Sequence, residues 1–536
     1  MRQLTKPITN SSSTWSRRQL VSAAGVWGAA GLFAGSRLNT MAVAQPAGDK
    51  TPRNFRFEDV VDRARALAEA PFDDAHDAEW PELAALDYDD YRKIRFKEEA
   101  RKSLTGGRFQ LDLFHRGNLF VRRVGINLLR NGEPTPLPYR HEDFDFDDLV
   151  IAPQPDTLGF AGFRIRTPLN RPDVFDELIV FLGASYFRFL GRDQRYGLSA
   201  RAFAINAGVP MQEEEFPFFR EFWIEDGPEG QNHLSVMGLL DSPSVAGAFA
   251  FSVHPGVHTA IDVTATVLAR RTVANAGVAP LTSMYYTGAS GPREADLFRA
   301  EVHDSDGLMM RSGDQFTWRP LRNPLDNELS LYPVEKPKGF GLLQRNRDFD
   351  QYQDLEATYE LRPSYWVVPQ GEWSAGAVQL SELTTSTETQ DNIVACFRPA
   401  SPLEPQNPVT WRYRIEAMTD GAGIHALAIA SRTLISDLAR ANGGQPSGSR
   451  LYVIDFTSND IEYWEKALDQ FDFVVESSRG EATGARLRWN PNGPGIRAMF
   501  TARVEPGVTA EFTARLMRGD RPFSETWLHR WTRVAS

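Results

Sequence analysis

The apolar positions of the chain follow a helical repeat in one short N-terminal region. Over residues 57–68 they recur every three or four positions, and Glu58 and Asp59 stand in the first turn. Acidic residues favour the start of a helix and proline ends one, so this spacing predicts an amphipathic helix that stops near Pro71. A second short helix is predicted within residues 81–94.

Beyond this region, apolar and polar residues alternate at period two in short runs separated by Gly, Pro, Asn and Asp. Residues 110–115 and 259–268 are clear examples. Such alternation places the apolar side chains on one face of a strand. Because similar runs continue to about residue 398 with few helices between them, the pattern predicts a mainly β fold. A large antiparallel β-sandwich fits it better than a parallel βαβ sheet.

Four prolines within residues 399–408 interrupt the strand pattern. A segment of this composition forms a stiff connection without a regular ladder, which predicts a domain boundary. The residues after it have strand periodicity again, and their number suits a small immunoglobulin-like β-sandwich. Its clearest strands are predicted at 409–415, 451–456, 495–504 and 509–517. The predicted organisation is a leader of 1–44, a large domain of 45–398, a linker of 399–408 and a small domain of 409–536.

The first 44 residues have the layout of a bacterial twin-arginine export signal. Arg17 and Arg18 precede an apolar run over residues 20–33, and small residues at 42–44 form a cleavage site. A membrane anchor is the alternative, but a span needs roughly 20 apolar residues and this run is shorter. The sequence therefore predicts a periplasmic mature chain without a membrane span.

Charge and cysteine content narrow the class of protein further. The formal net charge is −11, and it becomes −16 without residues 1–44, which hold five basic and no acidic residues. A surface this acidic repels phosphate backbones, so nucleic acid is not an expected partner. The single cysteine, Cys396, lies in an apolar run and is expected to be a small buried side chain.

Several common catalytic signatures are missing from the sequence. There is no Walker A motif, no Gly-x-Ser-x-Gly and no His-Glu-x-x-His. His254 and His258 would lie about 13 Å apart on a strand, too far for one metal ion. No metal and no cofactor is therefore predicted.

Carboxylates are the remaining candidates for chemistry. They cluster at residues 301–307, 345–350 and 388–392. A carboxyl at the mouth of an apolar strand loses solvation, which raises its pKa and suits a general acid, and a second carboxylate across a cleft can act as base. Two such groups are the minimum for hydrolysing a glycosidic bond. The alternative is that these acids begin turns or form solvated ion pairs.

The sequence resembles the periplasmic glucan biosynthesis proteins G and D, which are involved in osmoregulated periplasmic glucans, and most closely the D type. The motifs Asp391-Asn392-Ile393-Val394 and His303-Asp304-Ser305 are part of the similarity, and the twin-arginine signal suits the D type. The similar stretches follow one another along nearly the whole mature chain, at 55–71, 114–117, 196–201, 215–225, 240–244, 279–284, 301–308, 318–321, 339–356, 362–364, 391–394 and 524–527.

The resemblance implies a fold, an activity and a catalytic pair. The fold would be a galactose-mutarotase-like β-sandwich followed by an immunoglobulin-like one. The activity would be that of an inverting endo-β-1,2-glucanase acting on linear β-1,2-glucan. Asp391 falls in the motif of the general acid and Asp304 in the motif of the base, directly or through a relay. Asp306 matches the D-type form of the second motif.

Residues near the two acids are predicted to bind glucan, although each is also compatible with a structural role. Trp and Tyr stack on sugar rings but equally fill β-sandwich cores. The predicted set is His303, Asp306, Arg345, Arg347, Tyr352, Trp366, Trp373 and Glu388.

Two further functions remain open from the sequence. A non-catalytic glucan-binding scaffold would hand nascent chains to membrane-bound glucan synthesis machinery. A transferase would add branches or substituents to the glucan.

Overall fold

A computed structural model describes residues 54–534 apart from 75–79, 292–296, 420, 422, 438–447, 459–460, 492 and 494. The predicted export signal and its cleavage site lie outside the described residues.

The first predicted helix is present, and the second predicted helix is divided into two short helices. The four α-helices of the described residues are α1 (Phe57–Glu69), α2 (Pro81–Ala84), α3 (Tyr88–Lys93) and α4 (Phe349–Tyr352). At the start of α1, the Asp59 carboxylate accepts the Arg56 backbone N–H at 2.7 Å, which satisfies one of the free donors of a helix N-terminus. Within the described chain, no helix has the length and apolar character that crossing a membrane would require.

Strands make up most of the ordered structure. The strands that precede residue 230 are β1 (Arg95–Phe96), β2 (Lys102–Leu104), β3 (Phe109–Phe114), β4 (Gly125–Arg130), β5 (Glu133–Pro136), β6 (Phe144–Asp145), β7 (Gly162–Thr167), β8 (Asp176–Leu182), β9 (Tyr186–Phe189), β10 (Ser199–Arg201), β11 (Phe203–Ile205) and β12 (Phe218–Glu225).

The next group of strands begins after residue 230 and ends with the strand that follows the Pro-rich segment. It comprises β13 (Leu234–Asp241), β14 (Val245–His254), β15 (Thr259–Ala269), β16 (Ala276–Ser283), β17 (Tyr285–Thr287), β18 (Val302–His303), β19 (Gly307–Ser312), β20 (Gln315–Pro320), β21 (Glu328–Val334), β22 (Pro337–Leu343), β23 (Ser364–Gln370), β24 (Gly376–Glu382), β25 (Ile393–Pro399) and β26 (Val409–Met418). The C-terminal strands are β27 (Ile429–Asp437), β28 (Ser449–Thr457), β29 (Asp472–Ser477), β30 (Glu481–Trp489), β31 (Ile496–Arg503), β32 (Thr509–Arg518), β33 (Arg521–Pro522) and β34 (Thr526–Thr532).

Two large sheets pack face to face, which confirms the predicted mainly β sandwich. One has the order β2-β3-β7-β8-β9-β10-β16-β25-β24-β21, and β11 joins it beside β16. The other runs β29-β32-β34-β20-β19-β22-β23-β26-β15-β14-β13-β12-β4-β5, and β33 joins it beside β32. Apolar side chains of both sheets form one continuous core between them, as expected where two alternating faces meet.

A second core lies where the C-terminal strands meet the end of the longer sheet. The four-stranded sheet β27-β28-β31-β30 covers it, and Tyr452, Phe500 and Trp527 are buried there with Trp318 and Trp366 of the preceding region. The longer sheet crosses from one region into the other because β34 pairs in parallel with β20.

The strand after the Pro-rich segment has a different place from the one predicted. It was expected to open the C-terminal domain, but β26 pairs antiparallel with β15 and with β23 inside the longer sheet. The Pro-rich segment itself runs along the preceding sheet, since Leu403 and Pro405 form isolated bridges to Val273 and Ala269. The division into separate domains stays a prediction.

Candidate functional site

The end of β16 brings the two predicted acidic segments to neighbouring backbone positions. Asp304 donates its backbone N–H to the Met284 carbonyl at 2.8 Å, and Asn392 donates its own to the Ser283 carbonyl at 3.1 Å. The Ser283 hydroxyl also donates to the Ser305 hydroxyl at 2.9 Å. Two segments that are distant in sequence are thus joined through one strand end.

The side chain of Asn392 fixes the start of β25, directly after Asp391. Its amide oxygen accepts the Tyr285 backbone N–H at 2.8 Å, and its amide nitrogen donates to the carbonyls of Tyr285 and Leu383 at 3.0 and 2.9 Å. An asparagine can make these bonds in opposite directions at once, since its amide is both donor and acceptor. The backbone that carries Asp391 is therefore held on both sides.

Asp391 is a buried carboxyl that is only weakly paired. Its residue exposure is 5%, its Oδ2 has no hydrogen-bond partner among the described residues, and the Arg188 guanidinium lies 3.9 Å from that oxygen. Burial raises the pKa of Asp391 to about 7; Arg188 opposes the shift and the Asp304 charge adds to it. A carboxyl with this pKa is half protonated near neutral pH, as a general acid requires.

Asp304 is also buried, but it is directly paired. Its carboxylate accepts a hydrogen bond from the Arg362 guanidinium. Arg362 is itself held, because its Nε donates to the Ala357 carbonyl at 3.1 Å and its guanidinium lies 4.3 Å from the centre of the Tyr359 ring. Pairing with a fixed cation offsets the free-energy cost of burying a carboxylate. The two acids thus have contrasting environments, since Asp391 is weakly paired and Asp304 forms a direct ion pair.

Arg299 connects the loop before Asp391 with the segment that supports Arg362. Its guanidinium pairs with Glu388 at 2.7 Å and with Asp354 at 2.8 Å. Asp354 in turn accepts the Ala357 backbone N–H at 2.8 Å, and Ala357 is the residue whose carbonyl binds Arg362. One arginine therefore ties together the surroundings of both acids.

His303 and Asp306 have partners other than those of Asp304. His303 contacts Glu301 and Gln344 at 2.9 Å each. Burial disfavours its charge, but the Glu301 carboxylate outweighs that effect and raises the pKa of His303. Asp306 accepts the Arg345 and Asn346 backbone N–H groups at 3.1 and 3.0 Å. Both side chains line a separate cavity, which neither Asp304 nor Asp391 lines.

The two predicted arginines support structure close to the site. Arg345 forms a bidentate ion pair with the buried Glu525, at 2.6 and 2.9 Å, and its guanidinium lies 3.6 Å from the centre of a Trp318 ring. Arg347 donates to the carbonyls of Glu360 and Arg362 at 2.7 and 2.9 Å. Arg345 thus joins the C-terminal strands to the large sheet, and Arg347 supports the backbone of Arg362.

The predicted aromatic residues are interior. Tyr352 is fully buried and donates to the Asn346 carbonyl at 2.9 Å. Trp366 is 5% exposed and lies in the core shared with the C-terminal strands. Trp373 is in the main core, where its indole N–H donates to the Arg412 carbonyl at 3.0 Å. Of the predicted glucan-binding set, Glu388 lies three residues before Asp391 in the sequence, and the Tyr352 ring lies 5.4 Å from the ring of His303, the neighbour of Asp304.

Sequence reasoning missed the arginines that set the charge of the site. Besides Arg188 and Arg362, Arg201 acts on the Asp391 carboxyl, whose pKa it lowers. Arg201 and Arg362 both lie in stretches that carry the family resemblance, at 196–201 and 362–364. Their place in these stretches could have indicated a role at the site. Arg188 and Arg299 stand in no such motif; the folded chain brings Arg188 to Asp391 and Arg299 to Glu388.

In a comparison with known proteins, one family model, periplasmic glucan biosynthesis protein, MdoG, matches residues 55–531 of the chain. A protein of Shewanella frigidimarina is 41% identical over 482 residues, covering 89% of this chain and 85% of that protein. One of Bradyrhizobium diazoefficiens is 39% identical over 497 residues, covering 91% and 96%. One of Rhodopseudomonas palustris strain BisA53 is 41% identical over 497 residues, also covering 91% and 96%. All three are named glucans biosynthesis protein G.

Proposed function

The chain belongs to the family of periplasmic glucan biosynthesis proteins, MdoG, and from that premise we propose that it cleaves linear β-1,2-glucan as an inverting endo-glucanase. It would thereby control the length of the glucan backbone. Twin-arginine export and removal of the leader after Ala44 belong to the same proposal. Assignment of the chain to the D type is also part of the proposal. The twin-arginine leader and Asp306 favour the D type, although the three relatives are named glucans biosynthesis protein G.

The buried Asp391, with its pKa raised to about 7 beside an arginine-paired Asp304, is the observation that carries the proposal. Asp391 protonates the glycosidic oxygen as the bond to the anomeric carbon breaks. Asp304 takes a proton from the attacking water, directly or through neighbours such as His303 and Ser305. Water enters on the face opposite the leaving group, so the anomeric configuration inverts.

The proposed binding roles follow from the contacts of each side chain. Glu388, whose side chain is 28% exposed and paired with Arg299, is the predicted residue best placed to meet a sugar hydroxyl near Asp391. Arg345 and Arg347 act as positioning residues through Glu525 and the Arg362 backbone. The buried Tyr352, Trp366 and Trp373 contribute by packing.

The test is incubation of the purified mature protein with linear β-1,2-glucan, followed by a reducing-end assay and mass analysis of the products. Cleavage by the wild type and a fall of about 10²-fold or more in Asp391→Asn and in Asp304→Asn are expected, since each acid or base role is worth about 10²–10⁴-fold. Thermal unfolding and circular dichroism check that both variants fold.

Two outcomes would contradict the proposal. Glucan binding without new reducing ends would indicate a scaffold for the membrane-bound synthesis machinery. Products longer or more branched than the substrate would indicate a transferase.

A further inference from the structure

A cavity of about 320 Å³ lies where the large sandwich meets the first C-terminal strand, β27. Glu301, His303 and Asp306 line it on the side of the large sandwich, and Ser431 and Arg432 line it on the side of β27. The volume is at the lower end of the range of small-ligand sites, about 300–1,000 Å³.

The wall on the large-sandwich side is polar and held rigidly. His303 bridges Glu301 and Gln344 at 2.9 Å each, and Gln344 donates in turn to the Tyr352 hydroxyl at 2.9 Å. Asp306 is fixed by two backbone N–H groups. Burying carboxylates costs desolvation free energy unless they are paired. Because Glu301 and Asp306 are hydrogen-bonded in this way, their acceptor oxygens are held in fixed positions in the wall.

The opposite wall is fixed by the hydrogen bonds that Arg345 and Glu525 form with Ala430. Arg345 donates to the Ala430 carbonyl at 3.0 Å, while Glu525 accepts both the Arg345 guanidinium and the Ala430 backbone N–H. These bonds hold the start of β27 against the large sheet. Arg432, two residues further on, is exposed, and its charge acts favourably on the Glu301 carboxylate across the cavity.

We propose that this cavity is a second carbohydrate site, which holds a glucosyl unit of a β-1,2-linked glucan outside the cleavage site. The Glu301 and Asp306 carboxylates, the Asn346 amide and, facing them, the Arg432 guanidinium line the cavity. Such groups suit the hydroxyls of a sugar, each of which donates and accepts hydrogen bonds. The assignment to a glucan rests on the proposed function. The site requires both halves of the chain, which gives the C-terminal strands a direct part in binding.

The experiment uses the full mature chain with Asp391→Asn, so that ligand is not consumed, and the β-1,2-linked disaccharide of glucose as probe. Isothermal titration calorimetry gives the number of sites and their affinities. In this background, Ala289→Trp places an indole in the cavity lining, and Arg432→Ala removes the guanidinium from β27. Arg488→Ala removes another exposed arginine of the same four-stranded sheet and is the matched control.

The parent is expected to bind two disaccharides per chain and the Ala289→Trp variant one. Arg432→Ala should weaken one site by about tenfold, the loss of one charge-assisted hydrogen bond, and Arg488→Ala should leave both unchanged. Equal stoichiometry and affinity in the parent, Ala289→Trp and Arg432→Ala would overturn the second site.

Wild-type cleavage is measured separately. If the wild type does not cleave glucan while Ala289→Trp still removes one bound disaccharide, the proposed function fails and the second site stands. If cleavage is normal and no variant alters binding, only the second site fails.

Discussion

Replacing Arg188 by glutamine should move the alkaline limb of glucan cleavage to higher pH. The Arg188 guanidinium is 3.9 Å from Asp391 Oδ2, and both side chains are 3% exposed. Burial raises the pKa of Asp391 to about 7 against the opposing charge of Arg188. A general acid acts in its protonated form, so cleavage declines as the pH rises through this pKa, and loss of the opposing cation delays the decline.

The size of the shift follows from Coulomb's law. Two unit charges about 4 Å apart interact by about 4 kcal/mol at an effective dielectric constant of about 20. Since one pKa unit corresponds to about 1.36 kcal/mol, the upper bound is about 3 units. Arg201 and Arg362 still act on the carboxyl, and reorganisation of the site absorbs part of the change. The expected shift is therefore about 1–2 units, within the range that neighbouring charges produce.

The assay is kcat/KM for linear β-1,2-glucan from pH 5 to 10, since the limbs of this profile report groups of the free enzyme. Arg188→Lys is the control, because it keeps the charge and should leave the limb near pH 7. The absolute rate can fall in either variant without affecting the position of the limb. An alkaline limb that is the same in wild type, glutamine and lysine variants would refute the assignment of Asp391 as the titrating acid.

Three other perturbations have defined outcomes. Asp391→Asn should stabilise the fold at pH 8 by up to about 4 kcal/mol and have little effect near pH 4. The Asp391 carboxyl, with its pKa raised to about 7, binds protons preferentially in the folded state, so the wild-type fold loses stability as pH rises. Thermal unfolding in which this difference does not grow with pH would contradict the prediction. Arg299→Ala removes the ion pair that holds Glu388, and it should lower kcat by a factor about tenfold larger than the factor by which KM changes. Steady-state kinetics in which only KM changes would argue against a positioning role for Arg299. Glu525→Gln should cost about 3–5 kcal/mol at pH 7, as expected on breaking a buried ion pair with Arg345. Burial opposes ionisation of Glu525, but Arg345 keeps its pKa below the usual range, so the deficit should shrink only in acid; urea unfolding with a deficit independent of pH would contradict this.

Local periodicity was enough to predict the elements but not their partners. The helix over 57–68 and the strands near 110–115 and 259–268 are present because their side-chain spacing alone decides which face is buried. The strand after the Pro-rich segment was also predicted, yet its position between β15 and β23 depends on pairing with residues far away in sequence. A proline-rich connection indicates an irregular backbone, not which sheet the next strand joins.

The same holds for the candidate site, where the sequence predicted the two aspartates but not the residues that surround them. The two aspartates were predicted from motifs, but their different environments come from Arg188 and Arg362, which the folded chain brings to them. Trp373 was expected at the glucan because tryptophan suits both sugar faces and cores. Its burial is decided by the sheet that covers it, and composition does not encode that.

The anomeric configuration of the first product tests the account most directly. Proton NMR of the wild-type reaction, followed from the first minutes before mutarotation, should show the new reducing ends appearing as the α anomer from a β-linked substrate. The signal should be lost in Asp391→Asn and Asp304→Asn. Initial formation of the β anomer, or undiminished cleavage in both variants, would contradict an inverting mechanism with these two acids.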